Sequence, residues 1–471
     1  MRELIVMTSF VAASAFGLDV TAPGQLVTNT TVDGDIVFTT DGASLTTSGV
    51  SDVRLDNIIV NKGVSATLGT AFPTQWGIAY RLIGPQPSYI KGGEGATKDD
   101  AVLLFDGYIL GTGATSTSKT DLTVENITLN LRRAHDEASN DKNNLLRAAY
   151  IDVVDANINV LAPVRGAHSE IQAFVHERVD GAVQNRSNMT LTRSSLKVFE
   201  GAKLLLNLGG GSNNMAKLQL SDNSSIIVDG TLAGGVRGVR TLSYRVDASS
   251  SILVRSTGRL ELSSGDSNIE LSGRMVIDGY VMTNSKVRLN TGGTLVLNSS
   301  NLSQDMGMHT TNANGDLNVY GSSTLEVNAQ TYLRGICVTS DASKTLTVRL
   351  GDRGDASYLL ALDYIVCYPN STAYYESNNM NKNGNSFFYD FIGLETGDVL
   401  FSKETVSEDE IKAALSNMLF DGESGIIGYD SVTVDGKDYW ALTAAVPEPA
   451  TFAALFGILA LSFAAYRRKR Q

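Results

Sequence analysis

The chain has 471 residues, 42% of them hydrophobic and 19% charged, with 45 glycines, eight prolines and two cysteines. That apolar content is too high for global disorder, two cysteines exclude a disulfide-dense scaffold or a Cys-rich metal cluster, and the glycines lack the every-third-residue period of collagen. A formal charge of −12 without basic blocks in the interior excludes a nucleic-acid binder, which needs clustered Lys and Arg for phosphate contacts.

Residues 1–15 read as a signal peptide. Leu4 to Ala13 is a ten-residue apolar run, too short to span a bilayer, and Ala13-Ser14-Ala15 is a small-x-small cleavage site ahead of Phe16. Signal peptidase is the expected partner.

Residues 16–189 carry irregular strand signals at Asp35–Thr39, Val53–Val60, Leu122–Leu131 and Tyr150–Leu161. Two stretches interrupt them. Phe72–Gly113 holds Pro73, Pro85 and Pro87 with Trp76, Tyr80 and Tyr89, and Arg132–Asn144 is a charged loop, RRAHDEASNDKNN. Insertions of this kind are where repeat scaffolds place binding surfaces.

Residues 190–355 repeat one theme, short runs of alternating apolar and polar residues separated by Gly, Ser, Asn and Asp. Ser195–Phe199, Lys203–Leu208, Ser225–Val228, Arg259–Leu262, Arg274–Ile277 and Thr294–Leu297 are examples. Strands this short, without long crossovers, favour a parallel β-solenoid (β-helix) over serial sandwiches. The pattern resembles the passenger β-helices of autotransporters and related surface adhesins. The expected fold is therefore all-β: a parallel β-solenoid with a small mixed α/β C-terminal cap and a C-terminal transmembrane helix.

Residues 356–445 form that cap. Ten aromatics, Tyr358 and Phe401 among them, lie between 356 and 405. They have the residue types of a carbohydrate-binding module, but their spacing puts them on no common face. Ser407 to Glu410 is a capping box, and Ile411, Leu415, Met418 and Leu419 fall on one side of the helix it starts. Asp435-Gly436 is a type I′ hairpin signal.

Residues 446–471 close the chain. Pro447, Glu448 and Pro449 precede Phe452–Tyr466, fifteen residues without a charge, and Arg467, Arg468, Lys469 and Arg470 follow. As a helix the apolar run spans about 22 Å, short of a ~30 Å hydrocarbon core unless the arginines snorkel. The order resembles the PEP-CTERM sorting signal. That resemblance implies an integral-membrane exosortase as partner, Pro447–Pro449 as its recognition residues, 452–466 as a transmembrane anchor, and Arg467–Arg470 as the cytoplasmic retention charge. It also implies localisation to the envelope or surface of a bacterium with an outer membrane. Loss of a tail carrying +4 takes the formal charge from −12 to −16.

Candidate chemistry is sparse. His135, His168, His176 and His309 form no metal-ligand spacing, and neither metal nor cofactor is expected. Arg132, Arg133, His135, Asp136 and Glu137 could hold an anionic sugar or serve as acid and base, with Lys98, Asp99 and Asp100 as a second group. Cys337 and Cys367 could form a disulfide in an oxidising compartment, or stand as two separate thiols. Arg353-Gly354-Asp355 reads as a turn after the last strand. The sequence thus points to an exported structural or adhesive surface protein, with surface polysaccharide as a possible partner. The alternative is a secreted polysaccharide lyase or glycoside hydrolase on the same scaffold.

Overall fold

A computed structural model describes residues 17–27, 31–32, 34–47, 53–70, 80–84, 87–107, 110–112, 121–133, 144–163, 169–173, 187–208, 215–234, 241–262, 268–283, 286–299, 317–339, 341–366 and 380–444. They are nearly all β, in parallel sheets as in a β-solenoid, and divide into two compact units, 1–323 and 324–471.

In the first unit the chain visits three parallel sheets in turn. One coil consists of Met189–Thr192, Ser195–Val198 and Lys203–Leu208; the next of Met215–Ser221, Ser225–Val228 and Thr231–Gly234. Each strand pairs in parallel with its counterpart one coil later, about 4.8 Å away. Alternation sends every second side chain inward, and the register stacks like upon like. In the first sheet Leu18, Ile36, Ile58, Ile90, Val124, Val153, Leu191, Leu220, Val246, Leu271, Leu289 and Val319 form one unbroken aliphatic column. None is more than 5% exposed. Each such side chain contributes about 1.5–3 kcal/mol on leaving water, so the column is what holds successive coils in register.

The corner from the first sheet to the second has its own chemistry. Asn126, Asp155, Arg193 and Asp222 occupy it with φ of 53°, 48°, 52° and 54°, a left-handed conformation that short polar side chains tolerate best. Just inside lies a buried serine ladder. The backbone N–H of Ala156 donates to Ser194 Oγ, that of Ser194 to Ser224 Oγ, and that of Ser224 to Ser250 Oγ, all at 3.1 Å. These serines are 1–2% exposed. A bent corner takes backbone N–H groups out of the strand ladder, and the hydroxyls supply the acceptors that burial demands.

The second unit continues in parallel pairs before changing. Thr331–Leu333, Leu360–Leu362 and Val399–Ser402 are neighbours, as are Lys344–Leu350, Asn385–Ile392 and Met418–Phe420. An antiparallel hairpin, Ile427–Val434 with Lys437–Ala444, then adds to Val399–Ser402. Its turn has Asp435 and Gly436 at φ 51° and 77°, as the type I′ signal requires. Inside, Tyr389 stacks on Phe391 at 5.5 Å and meets Phe387 edge-on at 5.0 Å.

Ser407 caps Glu408–Ala414 with the Glu410 carboxylate accepting from its N–H (2.6 Å) and hydroxyl (2.8 Å). The helix is shorter than its apolar spacing suggests. Leu415–Asn417 is a single 3₁₀ turn, and Met418 and Leu419 pair with Tyr389 and Asp390 instead. Strand pairing at a waiting sheet edge outcompetes one more helical turn. Among the described residues no helix is long and apolar enough to cross a membrane; the run 452–466 lies outside them.

Lys344, 3% exposed, opens its strand with three acceptors around Nζ: Asp341 Oδ1 at 2.6 Å, Thr339 O at 2.9 Å and Ala342 O at 3.0 Å. Hydrogen bonds from Lys344 and then Thr339 hold the Asp341 carboxyl down to about 2. Its folded value lies below its unfolded one, so the stability it supplies is present above pH 3.8 and lost as pH falls towards 2. Urea unfolding near pH 6 and near pH 2.5 should show the wild type losing more stability than Asp341→Asn over that interval. Equal losses would mean the pair contributes nothing.

Candidate functional site

The described members of the charged loop serve the fold. Arg132 lies opposite Asp106 on the adjacent strand of the second sheet. Its Nε and Nη2 donate to the two carboxylate oxygens at 3.2 and 2.5 Å, a bond that raises the Arg132 pKa. Both arms of the fork are spent between two coils. Arg133 shares that strand, with only its backbone described; His135, Asp136 and Glu137 lie outside the described residues, as do His168, His176 and His309.

Lys98, Asp99 and Asp100 belong to the turn before Ala101–Gly107. Asp100 Oδ1 accepts the Thr97 N–H at 2.6 Å, and the Lys98 carbonyl accepts the Thr128 hydroxyl at 2.6 Å. Lys98 Nζ donates to the Arg193 carbonyl at 2.9 Å. Arg193 in turn grips Asp155 with two bonds of 2.7 Å, which lower the Asp155 pKa. These charges knit a corner together.

Arg353 Nη1 donates to the Thr396 carbonyl at 3.2 Å and lies 3.4 Å from Asp398, with Gly354 at φ 55° beside it. The tripeptide is a turn tied to its neighbour. Burial pushes the Asp398 carboxyl up, with Arg353 opposing. Cys337 is half-buried on Ile336–Val338; Cys367, and with it the Cys337–Cys367 pairing, lies outside the described residues. So do Ala13, Ala15, Pro447, Glu448, Pro449 and Arg467–Arg470. Among the described residues no three His, Cys, Asp or Glu are placed to hold a metal ion.

Two groups that the sequence reading missed are assembled by register. On the outer side of the third sheet Arg54, Arg81, Gly111 and Arg147 follow one another on successive coils. A Cβ at Gly111 would lie 2.0 Å from the Arg147 carbonyl oxygen, so that position stays bare. Arg147 is held below its ordinary value by burial and by Arg81, with Glu170 acting the other way. Glu170 and Asn207 are only 8% and 9% exposed although they point outward, and Asn207 donates to Glu170 at 2.8 Å.

The second group is a tyrosine face on the second unit. Tyr332, Ala361, Leu400 and Ala441 are consecutive across one sheet, and Tyr439 lies opposite Ser402 and Val432. Ala361, Leu400, Tyr439 and Ala441 are buried, with Tyr332, Tyr358, Val432 and Val434 packed half-buried against them. The Tyr332 hydroxyl donates to Asp363 Oδ2. Burial first, then that carboxylate, push the Tyr332 pKa above the ordinary phenol range. Tyr439 is raised by burial, with Tyr358, Asp363, Glu404 and Asp435 adding. The phenols therefore stay protonated, with the Tyr332 O–H spent on Asp363. Of the ten aromatics between 356 and 405, Tyr358 alone belongs to this cluster among the described residues. Its neighbours Tyr332 and Tyr439 lie outside the aromatic-rich stretch, on strands that register brings into one sheet.

No family model, no curated protein and no solved structure matches the chain.

Proposed function

We propose that this is an exported surface protein, a β-helix of structural or adhesive role, delivered by a signal peptide and sorted at Pro447-Glu448-Pro449 by an exosortase. The observation that carries this reading is the order of the last 25 residues: Pro-Glu-Pro, an uncharged run and a terminal cluster of four cations. A helix in that run with its cations held inside would halt export with the preceding chain outside. The parallel sheets support the role, because stacked coils bury their core against one another. In the competing reading, a lyase or glycoside hydrolase, Arg132 would have to face a substrate; its fork is taken by Asp106.

Terminal-peptide mass spectrometry on the protein isolated from its native cell surface tests the proposal. The expected chain starts near Phe16 and ends near Pro449. Recovery of peptides from 452–471 in the surface-exposed form would make the tail a permanent anchor and overturn the sorting claim.

A further inference from the structure

We propose that Ile427–Val434 is an association edge at which two copies of this chain pair, strand to strand, about a two-fold axis. The inference goes beyond the sorting reading and does not depend on it. The thirteen-, nine- and five-stranded sheets have two outermost strands each. Five of these six, Leu18–Val20, Ile336–Val338, Tyr280–Thr283, Val53–Leu55 and Thr331–Leu333, are three or four residues long. A short edge gives another chain little to pair with. Ile427–Val434, the sixth, has eight residues. All eight pair in unbroken register with Lys437–Ala444, and none is the proline or lysine that guards many edges. Asp430, Ser431 and Thr433 are exposed.

The neighbouring strand shows which groups are free. The Asp438 and Leu442 carbonyls accept from the Lys403 and Gly397 N–H groups. The even-numbered residues of Lys437–Ala444 therefore bond towards Val399–Ser402 and the odd-numbered ones towards Ile427–Val434. Opposite those odd residues lie Val434, Val432, Asp430 and Gly428. Tyr429, Ser431 and Thr433 thus turn N–H and C=O to the open side, where no backbone bond meets them among the described residues. The complement of such a row is another extended strand. This strand suits its own copy. Antiparallel pairing about Ser431 sets Ser431 against Ser431, Tyr429 against Thr433 and Asp430 against Val432. That gives two aromatic–β-branched pairs and no like charges directly opposite. The longer alternative sets Asp430 against Asp430, two carboxylates face to face, and is disfavoured. A two-fold contact closes at two copies, so the open edge does not run on into a fibre. Like charges remain nearby: Asp430 lies diagonal to its own copy, and Lys403, which donates to Ser431 Oγ, lies beside the axis. The dimer is therefore weak and gains as salt screens them.

Sedimentation velocity of the full-length chain, over about 1–200 µM and at about 20 and 500 mM salt, decides the matter. A dimer should grow with concentration, and its dissociation constant should fall about threefold or more at the higher salt. Ser431→Pro, which deletes the central outward N–H on an edge that tolerates proline, should leave a monomer. Asp430→Asn, which keeps the shape and removes the charge, should tighten the dimer about threefold or more. Mild oxidation reads the register. Ser431→Cys brings two thiols together with Cα atoms about 5.5 Å apart and should link copies beyond the wild-type level, whereas Thr433→Cys should not. If Ser431→Pro unfolds the hairpin, the charge and cross-linking variants still decide. The proposal falls if the chain stays monomeric, if the dimer survives Ser431→Pro in a folded chain, if salt or Asp430→Asn weakens it, or if Thr433→Cys links as readily as Ser431→Cys. A monomeric chain with both ends processed would sink this edge and leave the sorting claim intact; an edge-paired dimer with its tail retained would do the reverse.

Discussion

Ile226→Ala should destabilise the first unit by about 3 kcal/mol, within the 2–5 kcal/mol range of large-to-small core changes, while Ile227→Ala should cost less than about 1 kcal/mol. The two residues are neighbours of identical chemistry on Ser225–Val228. Ile226 is 0% exposed and stacks between Leu196 and Ile252; Ile227 points outward between Lys197 and Leu253. Because each coil touches only the next, the damage should be local. Hydrogen exchange should accelerate most at Ser195–Val198 and Ser251–Val254, the strands that sandwich the new cavity, and urea unfolding should give the size of the loss. A larger cost at Ile227 than at Ile226 would mean that the strand has the opposite phase, and equal costs that it has none; either way the aliphatic columns would be wrong.

That pair also marks how far the sequence can be read. Alternation alone puts strands at Lys203–Leu208, Arg259–Leu262 and Thr294–Leu297, where they are found. Yet SIIV is apolar on both sides, so its phase is set by the coils above and below rather than by its own residues. The corners are hidden for a related reason. LTVENITLNL reads as one strand over 122–131 but is two, Asp121–Glu125 and Thr128–Arg133, with Asn126 left-handed between them. The clue is a change of interval: inward residues fall at Leu122 and Val124, then at Ile127, Leu129 and Leu131. Tyr150–Leu161 breaks in the same way at Asp155, and Val53–Val60 splits into Val53–Leu55 and Ile58–Val60. A step of three among steps of two is the mark of a corner. Third-sheet strands such as Thr231–Gly234 escape notice because one leucine among Thr, Ala and Gly carries no period. The arginine row and the tyrosine face are invisible for a deeper reason. Their members are far apart along the chain, and adjacency comes only from how many residues each coil happens to contain.

Gly258→Ala should be the harsher of two glycine replacements, costing about 3 kcal/mol or more, whereas Gly292→Ala should cost about 1–2 kcal/mol. The two glycines are needed for different reasons. Gly292 has φ +80° with nothing nearer to its missing Cβ than 3.9 Å, so alanine there suffers only the left-handed backbone. Gly258 has no such φ, but a Cβ would lie 2.0 Å from the Val228 carbonyl oxygen and 3.0 Å from that of Arg255. Val228 O also accepts the Arg255 N–H at 3.0 Å, and Gly230 O accepts the Arg259 N–H at 2.8 Å. To admit a methyl group the corner must open by about 1 Å, and both bonds weaken, each worth about 1 kcal/mol net, before any strain is added. Gly230 and Gly279 hold the equivalent places one coil away on either side, with Cβ positions 2.2 and 2.1 Å from backbone oxygens. The corner is thus a column of bare backbones in which each coil rests directly on the one before it. Urea midpoints of the two variants, with limited proteolysis between Arg255 and Arg259, check the ordering. A Gly258→Ala protein as stable as Gly292→Ala would mean that the coils do not meet so closely at this corner.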